Sequence, residues 1–210
     1  MKKTTYLLIT ALLAILMAVS CKTSNDIDEN PMVPCLNRAV FADHSQSQYV
    51  LPYPVGESYE LVQSYCTPNN SHNNQLSYDF LMPIGAEILA SRSGIVVELV
   101  SDQPDSEVNG PVLGEDNHVN IQHDDGSVGF YAHFKQNSIC VQVGERVEVG
   151  QFLGFSGNSG CSLPHLHFGV YQTWPPREGF DLPVNFRNTD GHHDERGGLI
   201  AGEFYLSLPY

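Results

Sequence analysis

Polar and apolar positions along this chain follow the two-residue period of β-strands rather than the 3.6-residue period of helices. Alternating or β-branched runs at Leu76–Leu81, Glu87–Ala90, Gly94–Val100, Val119–His123 and Val128–Phe134 predict strands parted by turn residues. The last two read as a hairpin turned at Asp124-Asp125-Gly126. Further short strands are expected at Ile139–Val143, Arg146–Val149, Gln151–Phe155, Pro164–Tyr171 and Glu203–Leu208, with weaker alternation at Tyr49–Pro52 and Tyr59–Val62. No stretch combines helical periodicity with caps, and no internal repeat is visible. The pattern predicts an all-β fold with long loops at 69–75, 101–116 and 156–163.

Composition adds compartment and excludes some partners. The formal net charge of −14 argues against nucleic-acid binding, which needs basic patches, and against adhesion to anionic lipid. Met1-Lys2-Lys3 followed by an apolar run from Tyr6 to Val19 reads as a secretory signal over residues 1–20. Ala18-Val19-Ser20-Cys21 resembles a bacterial lipobox, with Ala18 where Leu is usual. The resemblance implies that Cys21 carries the lipid, making the protein an exported lipoprotein, periplasmic or at the cell surface, that touches membrane only through its N-terminus. Residues 22–34 are polar, acidic and aperiodic, a tether reaching roughly 40 Å when extended. Residues 35–67 are expected as an N-terminal elaboration and 68–210 as the main domain, acting as a monomer.

Four cysteines remain: Cys35, Cys66, Cys140 and Cys161. An even number in an exported chain suggests disulfides. Three connectivities are open; Cys35–Cys66 and Cys140–Cys161 are favoured because each joins nearby segments. No close Cys pair suggests a zinc–thiolate site.

The candidate chemistry lies in histidines and one aspartate. In Pro164-His165-Leu166-His167-Phe168, strand alternation places His165 and His167 on one face and Leu166 and Phe168 on the other. Two imidazoles on one face of an apolar strand suit metal binding or proton transfer. Asp79 sits in the apolar run Tyr78–Met82, where an unpaired carboxylate would be costly and a metal would supply the missing positive charge; a turn cap or an arginine partner would serve as well. His133 follows Tyr131 by two and is expected on its face. His118 and His123 are read as supporting or structural, and His192-His193 as solvated surface.

Taken in order, His72, then Tyr78-Asp79-Phe80 with Pro83 and Gly85, then Tyr131-Ala132-His133, then Gly157-Asn158-Ser159-Gly160 leading into Pro164-His165-Leu166-His167-Phe168, resemble the lysostaphin/LytM-type zinc endopeptidases. The intervening Val141–Gln151 segment agrees. The resemblance runs from about His72 to Tyr171. It implies an antiparallel β-sheet core of the LytM (duplicated hybrid motif) type, with loops walling a groove. It also implies zinc held by His72, Asp79 and His167, with His133 and His165 handling protons, and peptidoglycan peptides as substrate. The spacing from His72 to Asp79 is longer than in the best-known members, so residues 73–78 must loop out or the strand must start late. Two other readings are a catalytically inactive relative that regulates wall hydrolases and a β-sandwich copper or redox metalloprotein.

Overall fold

The computed structural model describes residues 34–177 and 179–210. The signal segment, Cys21 and the tether, apart from Pro34, lie outside the described residues.

The described chain is almost entirely β. Its strands are β1 (Ser58–Gln63), β2 (Tyr78–Leu81), β3 (Glu87–Leu89), β4 (Gly94–Val100), β5 (His118–Gln122), β6 (Val128–Ala132), β7 (Arg146–Val147), β8 (Phe152–Phe155), β9 (Leu166–Tyr171) and β10 (Phe204–Leu206). Among the described residues, eight of them form one sheet in the order β10-β1-β2-β9-β6-β5-β4-β7, while β3 and β8 make a separate ladder. Every pairing is antiparallel.

The predicted strands at Glu87–Ala90 and Gly94–Val100 are present, and the β5–β6 hairpin turns at the expected Asp-Asp-Gly, where Gly126 adopts φ +88°. Ile139–Val143 departs from the expectation and forms no strand. Val141 is buried as its alternation implies, but a single ladder-like bond, Cys140 N–H to Leu153 O at 2.8 Å, ties the segment to β8. The alternation there records one-sided burial without pairing. Residues 35–67 contribute a four-residue helix, α1 (Cys35–Arg38), and β1, which pairs with both β2 and β10. A single helical turn is too short to leave a periodic signature.

The core lies beneath one face of the large sheet. Tyr78 and Phe80 of β2, Leu166, Phe168 and Val170 of β9 and Tyr131 of β6 are buried there, joined by Tyr53, Phe134, Phe186 and Tyr205. Their rings meet mostly at steep angles, as with Tyr131 and Phe168 at 5.0 Å between centroids and 61° between planes, an arrangement that ring quadrupoles favour. Because the period is two, burying these residues turns Asp79 and His167 to the opposite face.

The disulfides agree with the sequence reading in one half and correct it in the other. Cys35 and Cys66 are bonded, tying α1 to the chain that follows β1. Cys140 and Cys161 are free thiols. Cys140 is exposed beside β8 and its thiol donates to Ser138 O at 3.4 Å, whereas the Cys161 thiol donates to Leu163 O at 3.3 Å and faces His165. Each thiol is engaged within its own loop, so nearness in sequence does not bring the two sulfurs together.

Candidate metal centre and groove

A row of residues crosses the sheet at the site. Gln63 of β1 stands opposite Asp79 of β2, Asp79 opposite His167 of β9, His167 opposite Ala132 of β6, and Ala132 opposite His118 of β5. Directly opposed residues in a sheet bring their Cβ atoms within about 5 Å, so Asp79 and His167 meet by pairing alone. Their atoms Oδ1 and Nδ1 are 2.9 Å apart.

His72 arrives from a loop. Turns over residues 68–74 carry the chain outward, and β2 begins only at Tyr78, so the long spacing to Asp79 is absorbed both ways. Its Nε2 lies 3.1 Å from His167 Nδ1 and 3.2 Å from Asp79 Oδ1. The ring is fully buried and its Nδ1–H donates to Ser64 O at 3.1 Å. That bond fixes the tautomer and leaves Nε2 as a lone pair.

The loop itself is held from below. Cys66 N–H donates to Gln75 O at 2.9 Å, the Cys35–Cys66 disulfide secures its start, and Arg38 reaches Asn74 O at 2.8 Å while pairing with Asp181. Asp181 also accepts from the N–H of Leu76. Gln63 bonds Ser71 Oγ at 2.8 Å.

His72, Asp79 and His167 form a set that could hold a metal ion. Tetrahedral zinc with bonds near 2.0–2.1 Å separates its ligands by roughly 3.3 Å, close to the distances here. With the His72 proton on Nδ1, His72 Nε2 and Asp79 Oδ1 are both acceptors, buried and in contact, and such a pair calls for a cation between them. The donor set of two imidazoles and a carboxylate therefore fits zinc. Burial alone would raise the Asp79 pKa; the His167 imidazole hydrogen-bonded to it and the His72 ring beside it outweigh burial and hold the carboxyl well below its usual range.

His133 and His165 stand beside this trio, their rings 4.4 Å apart. The structure corrects the expected placement of His133. Tyr131 points into the core, so continued alternation would bury His133 with it. Instead β6 ends at Ala132 and His133 takes φ +69°, a left-handed conformation uncommon outside glycine, which swings its ring to the groove. Its Nδ1–H donates to Ser159 O at 2.7 Å, and that of His165 to Leu163 O at 2.7 Å. Both rings thus keep Nε2 for the site, and His165 Nε2 lies 3.7 Å from Asp79 Oδ2. Burial, with His165 adding to it, pushes His133 down to about 4; burial also lowers His165. Both are neutral near pH 7.

The groove over the row holds about 650 Å³ and is walled by Asn70, Ser71, Asp116 and residues 160–163, drawn from the three loops expected to build it. The Gly-Asn-Ser-Gly turn is shaped by close packing. A Cβ at Gly157 would lie 2.5 Å from Lys135 Cα, and one at Gly160 2.7 Å from Asp116 N. Asn158 bonds Ser106 O at 2.9 Å, and Asn117 N–H donates to Ser159 Oγ at 2.9 Å, so loops 101–116 and 156–163 form one wall.

Three contributors escaped the sequence reading. Ser64 acts through its carbonyl, which no side-chain pattern reveals. Asn117, fully buried and bonded to Gln103 O and Phe134 O, is signalled only by a polar residue at a strand entry. Cys161 lies at the groove, where burial, followed by Asp79 and Asp116, raises its thiol to about 12. His118 sits between Asp116 at 3.3 Å and Glu98 at 3.4 Å. His123 is buried away from the groove with Nδ1 on Ser93 O. His192 is exposed, and His193 stacks on His44.

Residues 73–178, half of the chain, match Peptidase family M23. The chain belongs to peptidase family M23. Among curated proteins it is 28% identical over 135 residues to an uncharacterized metalloprotease of Buchnera aphidicola, covering 60% of this chain and 32% of that one. It is 38% identical over 91 residues to the peptidoglycan DD-endopeptidase ShyA of Vibrio cholerae, covering 43% of this chain and 18% of that protein. The chain thus matches a third or less of either relative's length. Among solved structures, the catalytic domain of the antimicrobial peptidase lysostaphin from Staphylococcus simulans aligns at 28% identity with a TM-score of 0.40, over 55% of this chain and 79% of that one. The M23 match begins one residue after His72, so the loop-borne member of the trio lies outside the matched segment, as do Ser64, the Cys35–Cys66 disulfide and the Arg38–Asp181 pair that help to brace it.

Proposed function

We propose that this protein is an exported zinc endopeptidase that hydrolyses cross-bridge or stem peptides of bacterial peptidoglycan. The observation that carries the reading is the convergence of His72 Nε2, Asp79 Oδ1 and His167 Nδ1 to within 3.2 Å, with two neutral imidazoles alongside. The names of its relatives, a peptidoglycan endopeptidase among them, support the substrate class.

His72, Asp79 and His167 would hold the ion. Bound zinc supplies Lewis acidity toward the scissile carbonyl and lowers the pKa of water. The carbonyls of Ser64, Ser159 and Leu163 orient His72, His133 and His165 so that each offers Nε2 to the site. His133 and His165, neutral at pH 7, are the pair that takes a proton from the attacking water and returns one to the leaving amine. In the protonated form either imidazole also stabilises the developing oxyanion. The loop walls position the peptide along the row of Gln63, Asp79, His167 and Ala132.

Purified protein is expected to release muropeptides from isolated walls in a chelator-sensitive, zinc-restored reaction. Undiminished release by His167→Ala refutes the assignment. Walls of several bridge chemistries identify the bond cut.

A further inference from the structure

Beside the first trio, His133, Cys161 and His165 each place one ligand atom within 4.8 Å of the other two. His133, through its turn out of β6, and His165, immediately before β9, bring imidazoles. Cys161, on the wall loop, brings sulfur, with Sγ 3.7 Å from His165 Nδ1. The second oxygen of Asp79 faces this group, 3.7 Å from His165 Nε2, while its first oxygen faces His72 and His167. One carboxylate therefore stands between two clusters of metal-ligating atoms, the disposition of a bridging ligand in sites with two metal ions. Sulfur and two imidazoles suit soft or borderline cations.

We propose that His133, Cys161 and His165 form a second, weaker site for a thiophilic divalent cation such as zinc or cadmium, bridged to the first by Asp79. It is weaker because the His165 nitrogen nearest the sulfur, Nδ1, is already engaged by Leu163 O, whereas the first trio stands with its facing atoms within 3.2 Å. It is also more open, each of its three residues being partly exposed where His72 and Asp79 are buried. Binding expels the thiol proton to solvent and leaves a thiolate on the ion. On the reading of His133 and His165 as the proton-handling pair, occupancy removes both imidazoles from the reaction. The first equivalent of zinc then supports hydrolysis and the second suppresses it.

The test uses the full chain carrying Cys140→Ser, stripped of metal and titrated with cadmium. Equilibrium dialysis counts the ions, and ultraviolet thiolate-to-cadmium charge-transfer absorbance reports sulfur ligation. Two equivalents are expected, the charge-transfer band growing with the second. Cys161→Ser, shown to be folded by an unchanged melting temperature, should bind one equivalent without the band, and His133→Gln should likewise lose the second. In hydrolysis assays, excess zinc should suppress the parent at least about a hundredfold, the scale of lost acid–base catalysis, and spare Cys161→Ser. One equivalent in the parent, or two in Cys161→Ser, overturns the second site and leaves the first intact. No bound cadmium in any protein overturns both.

Discussion

Asp79 and His167 reach the site by one physical route and His72 by another. The first two are opposed residues on neighbouring strands of the sheet, aimed by the burial of Tyr78, Phe80, Leu166 and Phe168 on its other face. His72 rides a turn-rich loop whose position depends on a disulfide, an Arg38–Asp181 pair and backbone bonds from residues before β2. The sheet aims a side chain as a by-product of folding, whereas the loop needs dedicated fastenings to do the same.

The contrast is broken most forcefully at its strand-borne end. His167→Ala should weaken zinc binding by more than the about 10–100-fold that loss of an outer hydrogen-bond partner costs, measured by competition with a chromophoric chelator. An affinity within that range would mean that His167 only orients the others.

Removing the fastening comes next. Cys35→Ser with Cys66→Ser should lower stability by about 3–4 kcal/mol, the loop-closure entropy released on opening a cross-link of this span, in urea unfolding. Zinc affinity should fall with it, while amide exchange protection of β2 and β9 persists at low denaturant. Equal loss of protection in β2, β9 and the 66–76 loop would show that the two routes are one cooperative unit.

A third effect lies outside both routes. Burial depresses His123 from its ordinary value to about 4, so the folded protein keeps it neutral where the unfolded chain is protonated. The unfolded state binds more protons between about pH 6.5 and 4, and stability falls as pH drops through that window. The loss approaches roughly 3 kcal/mol at the acid end, and His123→Asn should flatten the melting-temperature profile there. An unchanged profile would place the acid sensitivity elsewhere.

The smallest effect probes His133. A non-glycine residue at φ +69° carries strain, so His133→Gly should be about 1 kcal/mol more stable than His133→Ala, although both lose hydrolysis. Equal stability of the two would mean that the turn relaxes without its imidazole.

Legibility in the sequence follows the same division. Strand alternation suffices to place Asp79 and His167 on one face, because a period of two leaves only two choices. The all-β class is legible for the same reason. The loop-borne candidate ligand, His72, is named by the resemblance, but its fastenings are not, since Ser64 contributes a carbonyl and Arg38 acts across the fold. His133 shows the limit of alternation: a change of backbone basin after Ala132 reverses its face, and nothing in Tyr131-Ala132-His133 announces it. Cys140 and Cys161 mislead in a related way, because closeness along the chain says little about the direction of two side chains in separate loops.

The opposition of Asp79 and His167 across β2 and β9 has a consequence for folding. A slip of one residue between these strands would send one of the pair to the far face, and a slip of two would leave them facing strangers. Only the native alignment gathers the trio, so an ion that binds it rewards that alignment alone. A cation bound there would act as a proofreader of strand pairing as well as a reagent.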